Sequence, residues 1–217
     1  MKRSAASIAI TAAWFLLLSG CSQPEQKVVH PEVNYELSSP YELVRVNSVA
    51  LIELAADHQS AGRVESMTEA VYEAVQSRRI FQIDVIRRDD PICRDLPLGG
   101  SEPLTMEQLD QIRRTLKVDA VLVGSVHHFR PHPHMQTGLT LRLLDLRRGK
   151  LIWGVDDVWD SSTEHTEKRI QAYFREKVRS GYGPVDYKLV MMSPIKFEEF
   201  VAYEVSTTLP RRGGVGR

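Results

Sequence analysis

Four histidines fall within eight residues, His127-His128-Phe129-Arg130-Pro131-His132-Pro133-His134. Neutral imidazole is the commonest metal ligand among side chains, so the cluster invites a metal-binding reading through His127, His128, His132 and His134. The spacing argues against a simple site. On an extended strand His127 and His128 point to opposite faces, and Pro131 and Pro133 keep the rest extended with no shared face. Asp156 and Asp157, on a neighbouring predicted strand, would be the nearest carboxylates. The plainer reading is a solvated hairpin end that touches a partner. Cys93 has Arg94 beside it, a cation of the kind that lowers a thiol pKa; with no histidine near it in sequence, it reads as a buried structural thiol. No G-x-S-x-G or S-x-x-K nucleophile motif occurs, and Gly99-Gly100 lacks the strand-to-helix setting and the lysine of a phosphate loop. The chain therefore reads as non-enzymatic and without a cofactor. Its 28 basic and 28 acidic residues balance, which leaves no footprint for nucleic acid.

Cys21 is the other reactive position. Lys2 and Arg3 precede an apolar run over residues 8–18, and Leu18-Ser19-Gly20 leads into the cysteine. A charged start, a short apolar core and small residues at the cut define a secretory signal. The run is shorter than the roughly 20 residues that cross a bilayer. Leu-Ser-Gly-Cys resembles the lipobox of bacterial lipoproteins. That resemblance implies cleavage before Cys21, diacylglycerol on its thiol and an acylated new N-terminus, the only covalent group expected. At about 0.8 kcal/mol per buried methylene, two or three acyl chains anchor a protein almost permanently. By the same analogy Ser22 is an outer-membrane address, so the expected place is the periplasmic face of the outer membrane. With Cys21 lipidated, Cys93 has no partner and the domain must fold without a disulfide.

The elements that would position these residues follow from periodicity. Residues 22–40 are polar, with Pro24, Pro31 and Pro40, and read as a tether. Nineteen such residues reach at most about 65 Å extended and about 25 Å as a relaxed coil. Residues 48–54 are an apolar strand, and residues 60–77 carry Val64, Met67, Val71 and Val75 at helical spacing. Phe81, Ile83 and Val85 alternate on a second strand. After a Pro- and Gly-rich loop over residues 87–104, Thr105 and Gln108 fit a capping box that starts a helix. Residues 119–126 are continuously apolar, as in a central strand. Two alternating strands follow at 138–146 and 151–158, joined by a hairpin with Gly149. Helices are expected at 164–179 and after Ser193-Pro194. The order β-α-β-α-β-β-β predicts an α/β (α+β) fold with a mixed sheet of about five strands, flanking helices and two extra C-terminal helices. The expected divisions are a signal peptide at 1–20, a lipidated tether at 21–40, an α/β domain at 41–162, a helical extension at 163–210 and a disordered tail at 211–217.

The run VDAVLVGSV, followed by LRLLDLRRGKLIW, resembles an envelope lipoprotein domain. It is shared by the curli secretion lipoprotein, a ring-forming polysaccharide-export lipoprotein and the lipoprotein activators of penicillin-binding proteins, and the N-terminal domain of the Tol-Pal translocation protein is built similarly. Asp119, Gly124, Leu143, Asp145, Gly149 and Trp153 carry the likeness over about residues 48–160. It implies a non-catalytic fold that binds other proteins or itself. The loops here are too short for the long hairpins of a self-made pore, and the tether is shorter than one that crosses the cell wall. Two surface expectations complete the reading. Arg147, Arg148 and Lys150 make a small basic turn that reads first as a solvated hairpin, with contact to anionic lipid or polymer as the alternative. Trp153 and Trp159 share a strand face, with Trp153 in the core and Trp159 exposed as an interface anchor. The last strand is expected to be a sheet edge open to pairing. Together these features point to a membrane-anchored scaffold, assembly or regulatory component of an envelope complex, bound to a protein partner or to copies of itself. The alternative is a periplasmic metal-binding protein.

Overall fold

In the computed structural model, described residues are 32–58, 60–93, 96, 104–178 and 186–211. The signal segment, Cys21, Arg94, Gly99-Gly100 and all of the tail beyond Arg211 lie outside them. The strands are β1 (Tyr35–Leu37), β2 (Ser48–Ile52), β3 (Ala55–Ala56), β4 (Gln82–Ile86), β5 (Ala120–Arg130), β6 (Gln136–Asp145) and β7 (Leu151–Asp160). The helices are α1 (Pro40–Val44), α2 (Val64–Gln76), α3 (Met106–Leu116), α4 (Glu164–Val178), α5 (Lys188–Met192) and α6 (Pro194–Thr207). One mixed sheet runs β1-β7-β6-β5-β2-β4, with β3 pairing β5 off this path. As the alternation of strands and helices predicts, β2 lies parallel to β4 and β5. The meander β5-β6-β7 is antiparallel.

The sheet's two faces are unequally covered. Leu122, Leu139, Leu141, Leu143, Trp153 and Val155 are buried on one face, in a core with Met67 and Val71 of α2 and Phe197, Phe200 and Val201 of α6. Helix α6 is apolar on most sides because it is enclosed, as a helix must be when it packs between sheet and neighbours. The C-terminal helices therefore share the sheet's own core. On the other face α3 is packed, with Leu96 beside it: Leu109 and Ile112 cover Ala50, Ile52 and Val121. Its start is the expected capping box. The Gln108 amide donates to Thr105 Oγ1 at 3.3 Å, and the Thr105 amide donates to Gln108 Oε1 at 2.8 Å. The outer face of β6 and β7 has no such layer among the described residues.

Several elements depart from expectation. Val33 is buried and β1 pairs with β7, so part of the segment read as tether belongs to the sheet. The last strand is therefore not an open edge: Tyr35 lies opposite Val155 and Leu37 opposite Trp153. A five-residue helix, α5, precedes α6. Strand β5 runs on to Arg130 and takes in His127 and His128.

Candidate functional site

Three surfaces gather the residues singled out by their chemistry. The first is the histidine end of β5. Pairing with β6 is regular up to His127 opposite Gly138 and then shifts before Arg130 meets Gln136. His128 takes a left-handed backbone with φ 55° in this bulge. The bulge breaks the strict alternation of a strand, so the two rings do not point to opposite faces. Their centroids lie 4.9 Å apart, edge to face. The His127 imidazole rests on Gly138, where an added Cβ would stand 2.6 Å from Nε2. His128, His132 and His134 are exposed, and the His132–Pro133 bond is cis. Asp156 is engaged elsewhere, accepting from Thr140 Oγ1 at 3.0 Å, and Asp157 accepts from the Asn34 amide. Among the described residues no three His, Cys, Asp or Glu side chains are grouped so as to hold a metal ion.

The second surface is the end of the sheet where the β6–β7 hairpin turns. Asp145 Oδ1 accepts from the Arg147 amide at 2.7 Å and the Arg148 amide at 3.2 Å, and Gly149 completes the turn at φ 66°. That backbone favours glycine because a Cβ there is strained. Arg147 reaches Asp119 at 3.4 Å, and Arg148 reaches Glu42 of α1 at 3.7 Å. With Arg45 and Asn47 they line a cleft of about 190 Å³. Most residues that carry the family likeness thus have structural duties: Asp145 and Gly149 form the turn, Asp119 accepts from the Asn47 amide, and Trp153 donates from Nε1 to Thr208 Oγ1.

The third surface is the uncovered outer face of β6 and β7. Thr140, Arg142, Gly154, Asp156 and Glu36 line a shallow groove of about 450 Å³ there. Sequence reasoning missed it, because it exists only where α3 stops and β1 begins.

Two expectations are corrected. Trp159 is 1% exposed, so it offers no surface anchor. Its Nε1 donates to Glu204 Oε2 at 2.8 Å, and Arg169 pairs with the same carboxylate from α4. Cys93 is half-buried rather than buried, in a 3-10 turn at Pro91–Cys93. Desolvation and the Asp90 carboxylate push its thiol up from the ordinary range, more than Arg88 lowers it.

No protein-family model matches the chain, and no curated protein matches it. Solved structures do. PelC from Paraburkholderia phytofirmans, described as a dodecamer, superposes with a TM-score of 0.51 at 13% identity, covering 83% of this chain and 97% of that one. Lipoprotein GNA1162 from Neisseria meningitidis gives 0.39 at 12% identity, covering 63% and 99%. The LpoB C-terminal domain from Salmonella enterica gives 0.39 at 18% identity, covering 52% and 83%. The chain has an α/β fold similar, at low sequence identity, to that of PelC. No helix among the described residues is long and apolar enough to cross a membrane.

Proposed function

We propose that this chain is a lipoprotein held by lipid on Cys21 to the periplasmic face of the outer membrane. It works there as a non-enzymatic assembly component of an envelope machine, associating with copies of itself. The observation that carries this reading is the likeness in fold, over 83% of the chain, to a protein that forms a dodecamer. One feature agrees with it: the lipobox-like run ends at Cys21, and the described domain starts only about ten residues later.

Light scattering on the purified chain, with and without chelator, tests the assembly. A defined oligomer that ignores chelator is expected. A monomer at tens of micromolar overturns self-association, and an assembly that dissolves with chelator transfers the role to the histidines. Palmitate labelling in cells tests the anchor: label is expected on the wild type and absent from Cys21→Ala, and an unlabelled wild type overturns it.

A further inference from the structure

We propose that the outer edge of β4 pairs with the same edge of a second copy, so that two sheets join across a two-fold axis into one. The proposal rests on the self-association put forward above and names the surface through which it occurs. Strand β4 ends the sheet, and no strand lies on its far side among the described residues. The Gln82 amide donates to the Asn47 carbonyl at 2.8 Å, and the Ile86 carbonyl accepts from the Glu53 amide at 2.9 Å, so residues 82 and 86 face β2. The alternation of a strand then turns the amides and carbonyls of Phe81, Ile83 and Val85 outward. A row of open donors and acceptors is a template for another strand, and natural edges are blunted by shortness, proline, lysine or bulges. The opposite edge is blunted in this way: β1 has three residues and runs into Pro40 of α1. Strand β4 pairs with β2 over five residues without a bulge, and its only charge is Asp84.

The residues of β4 select how two copies meet. An antiparallel ladder forms only where outward-facing residues lie opposite each other. A register centred on Asp84 meets that condition but sets two carboxylates face to face, and like charges directly opposite destabilise. A register centred on Ile83 avoids the clash. It puts Phe81 opposite Val85 of the second copy and the two Ile83 side chains side by side. These three residues lie along the core face of the sheet, with Phe81 and Val85 half-buried at its margin, so the cross-strand contacts there are apolar. On the other face Gln82 comes opposite Asp84 of the second copy. Both side chains are exposed, and Gln82 already donates through Nε2 to Asp84 of its own chain at 3.2 Å. The three outward-facing pairs of this register exchange about six hydrogen bonds.

The ends of the strand are compatible with this register. Arg79 falls opposite Arg87 of the second copy, and Arg87 is itself held between Glu53 at 3.8 Å and Glu65 at 3.3 Å. The Glu65 side chain is 78% exposed and can take a second cation. Asp84 has a plainer role as a charge that keeps an edge strand from pairing. That role holds only where Asp84 would meet its own copy, and the register centred on Ile83 sets it against a carboxamide instead. In a two-fold pair every contact occurs twice, so one substitution acts at two places.

The test uses the full-length chain purified in detergent, with Cys93→Ala as background. Two differently tagged versions, one Q82C and the other D84C, are mixed and oxidised. The pair they form has Cα atoms about 4.5 Å apart, within reach of a disulfide. A cross-linked heterodimer is expected, its joined peptides identified by mass, with neither version cross-linking to itself. Sedimentation of variants without added cysteines reads the affinity. Gln82→Asp sets carboxylates opposite each other twice and is expected to weaken the dimer about tenfold, whereas Gln82→Lys tightens it. Val85→Pro removes an outward amide without touching the ladder to β2, and is expected to leave monomers. Circular dichroism verifies that the variants fold. The proposal is overturned if D84C cross-links to itself, if the mixture gives no heterodimer, or if Gln82→Asp and Gln82→Lys shift the affinity alike. An oligomer that none of these substitutions moves overturns the edge and leaves self-association standing, and a monomeric wild type overturns both.

Discussion

Replacing Arg63 by alanine should destabilise the domain far more than the loss of a surface ion pair. Arg63 ends the 3-10 turn before α2 and grips Glu198 of α6 with both arms of its guanidinium, Nε to Oε1 at 2.6 Å and Nη2 to Oε2 at 2.7 Å. The Glu198 side chain is 1% exposed against 22% for Arg63, whose charge also lies 5.5 Å from the Phe129 ring centre. The intact pair contributes little net stability, because burying both charges costs about what their attraction returns. Removing one partner is different: the carboxylate stays buried without compensation, at a cost of about 3–5 kcal/mol. An exposed pair would cost only about 0.2–1 kcal/mol. Against a total stability of about 5–15 kcal/mol, R63A should remove about a fifth or more. In a domain of this size that is roughly 6–20 °C in Tm. Urea unfolding followed by tryptophan fluorescence reads it, since Trp153 and Trp159 are both in the core. The double variant R63M/E198L should recover most of the loss, because it removes the stranded charge. A cost below about 1 kcal/mol for R63A would refute the reasoning, by showing that water reaches Glu198.

Gly138→Ala should cost about 1 kcal/mol, because its new methyl displaces the His127 ring, and the double variant G138A/H127A should return most of it in the same unfolding assay. Thr137 is fully buried and its hydroxyl has no hydrogen-bond partner among the described residues, so Thr137→Val should stabilise by about 1 kcal/mol in thermal unfolding; destabilisation would mean that the hydroxyl is satisfied by water. Cys93, its thiol held up by burial and Asp90, should react with iodoacetamide at pH 7.5 more slowly than a free cysteine peptide, and an equal or faster rate would contradict that environment.

The long-period features were legible from the sequence because each is a local pattern. Helix α2 shows its stripe of Met67, Val71 and Val75, α3 its Thr105–Gln108 cap, and the β6–β7 hairpin its glycine. What escaped was short or non-local. Strand β1 is three residues, Tyr-Glu-Leu, amid polar and proline-rich sequence, and only its distant partner makes it a strand. Helix α5 is a single turn and a half, too short for periodicity to register. The strand-face argument correctly put Trp159 on the side of Trp153. Its burial depends on Glu204, 45 residues further on, and on helices whose docking no strand pattern reveals. At the histidines, period-two alternation failed at His128, where the backbone is left-handed.

The pairing of β1 with β7 also bears on the order in which the domain can close during synthesis. Tyr35 is among the first domain residues to be made, and its partner Val155 follows about 120 residues later. At about 5–20 residues per second of synthesis, the interval is roughly 6–24 s. For that time the first strand has nothing to pair with, and the half-made sheet lacks both its last strand and the α6 helix that seals its core. The sheet cannot close early, because the strand that completes its edge waits for a partner made late in the chain.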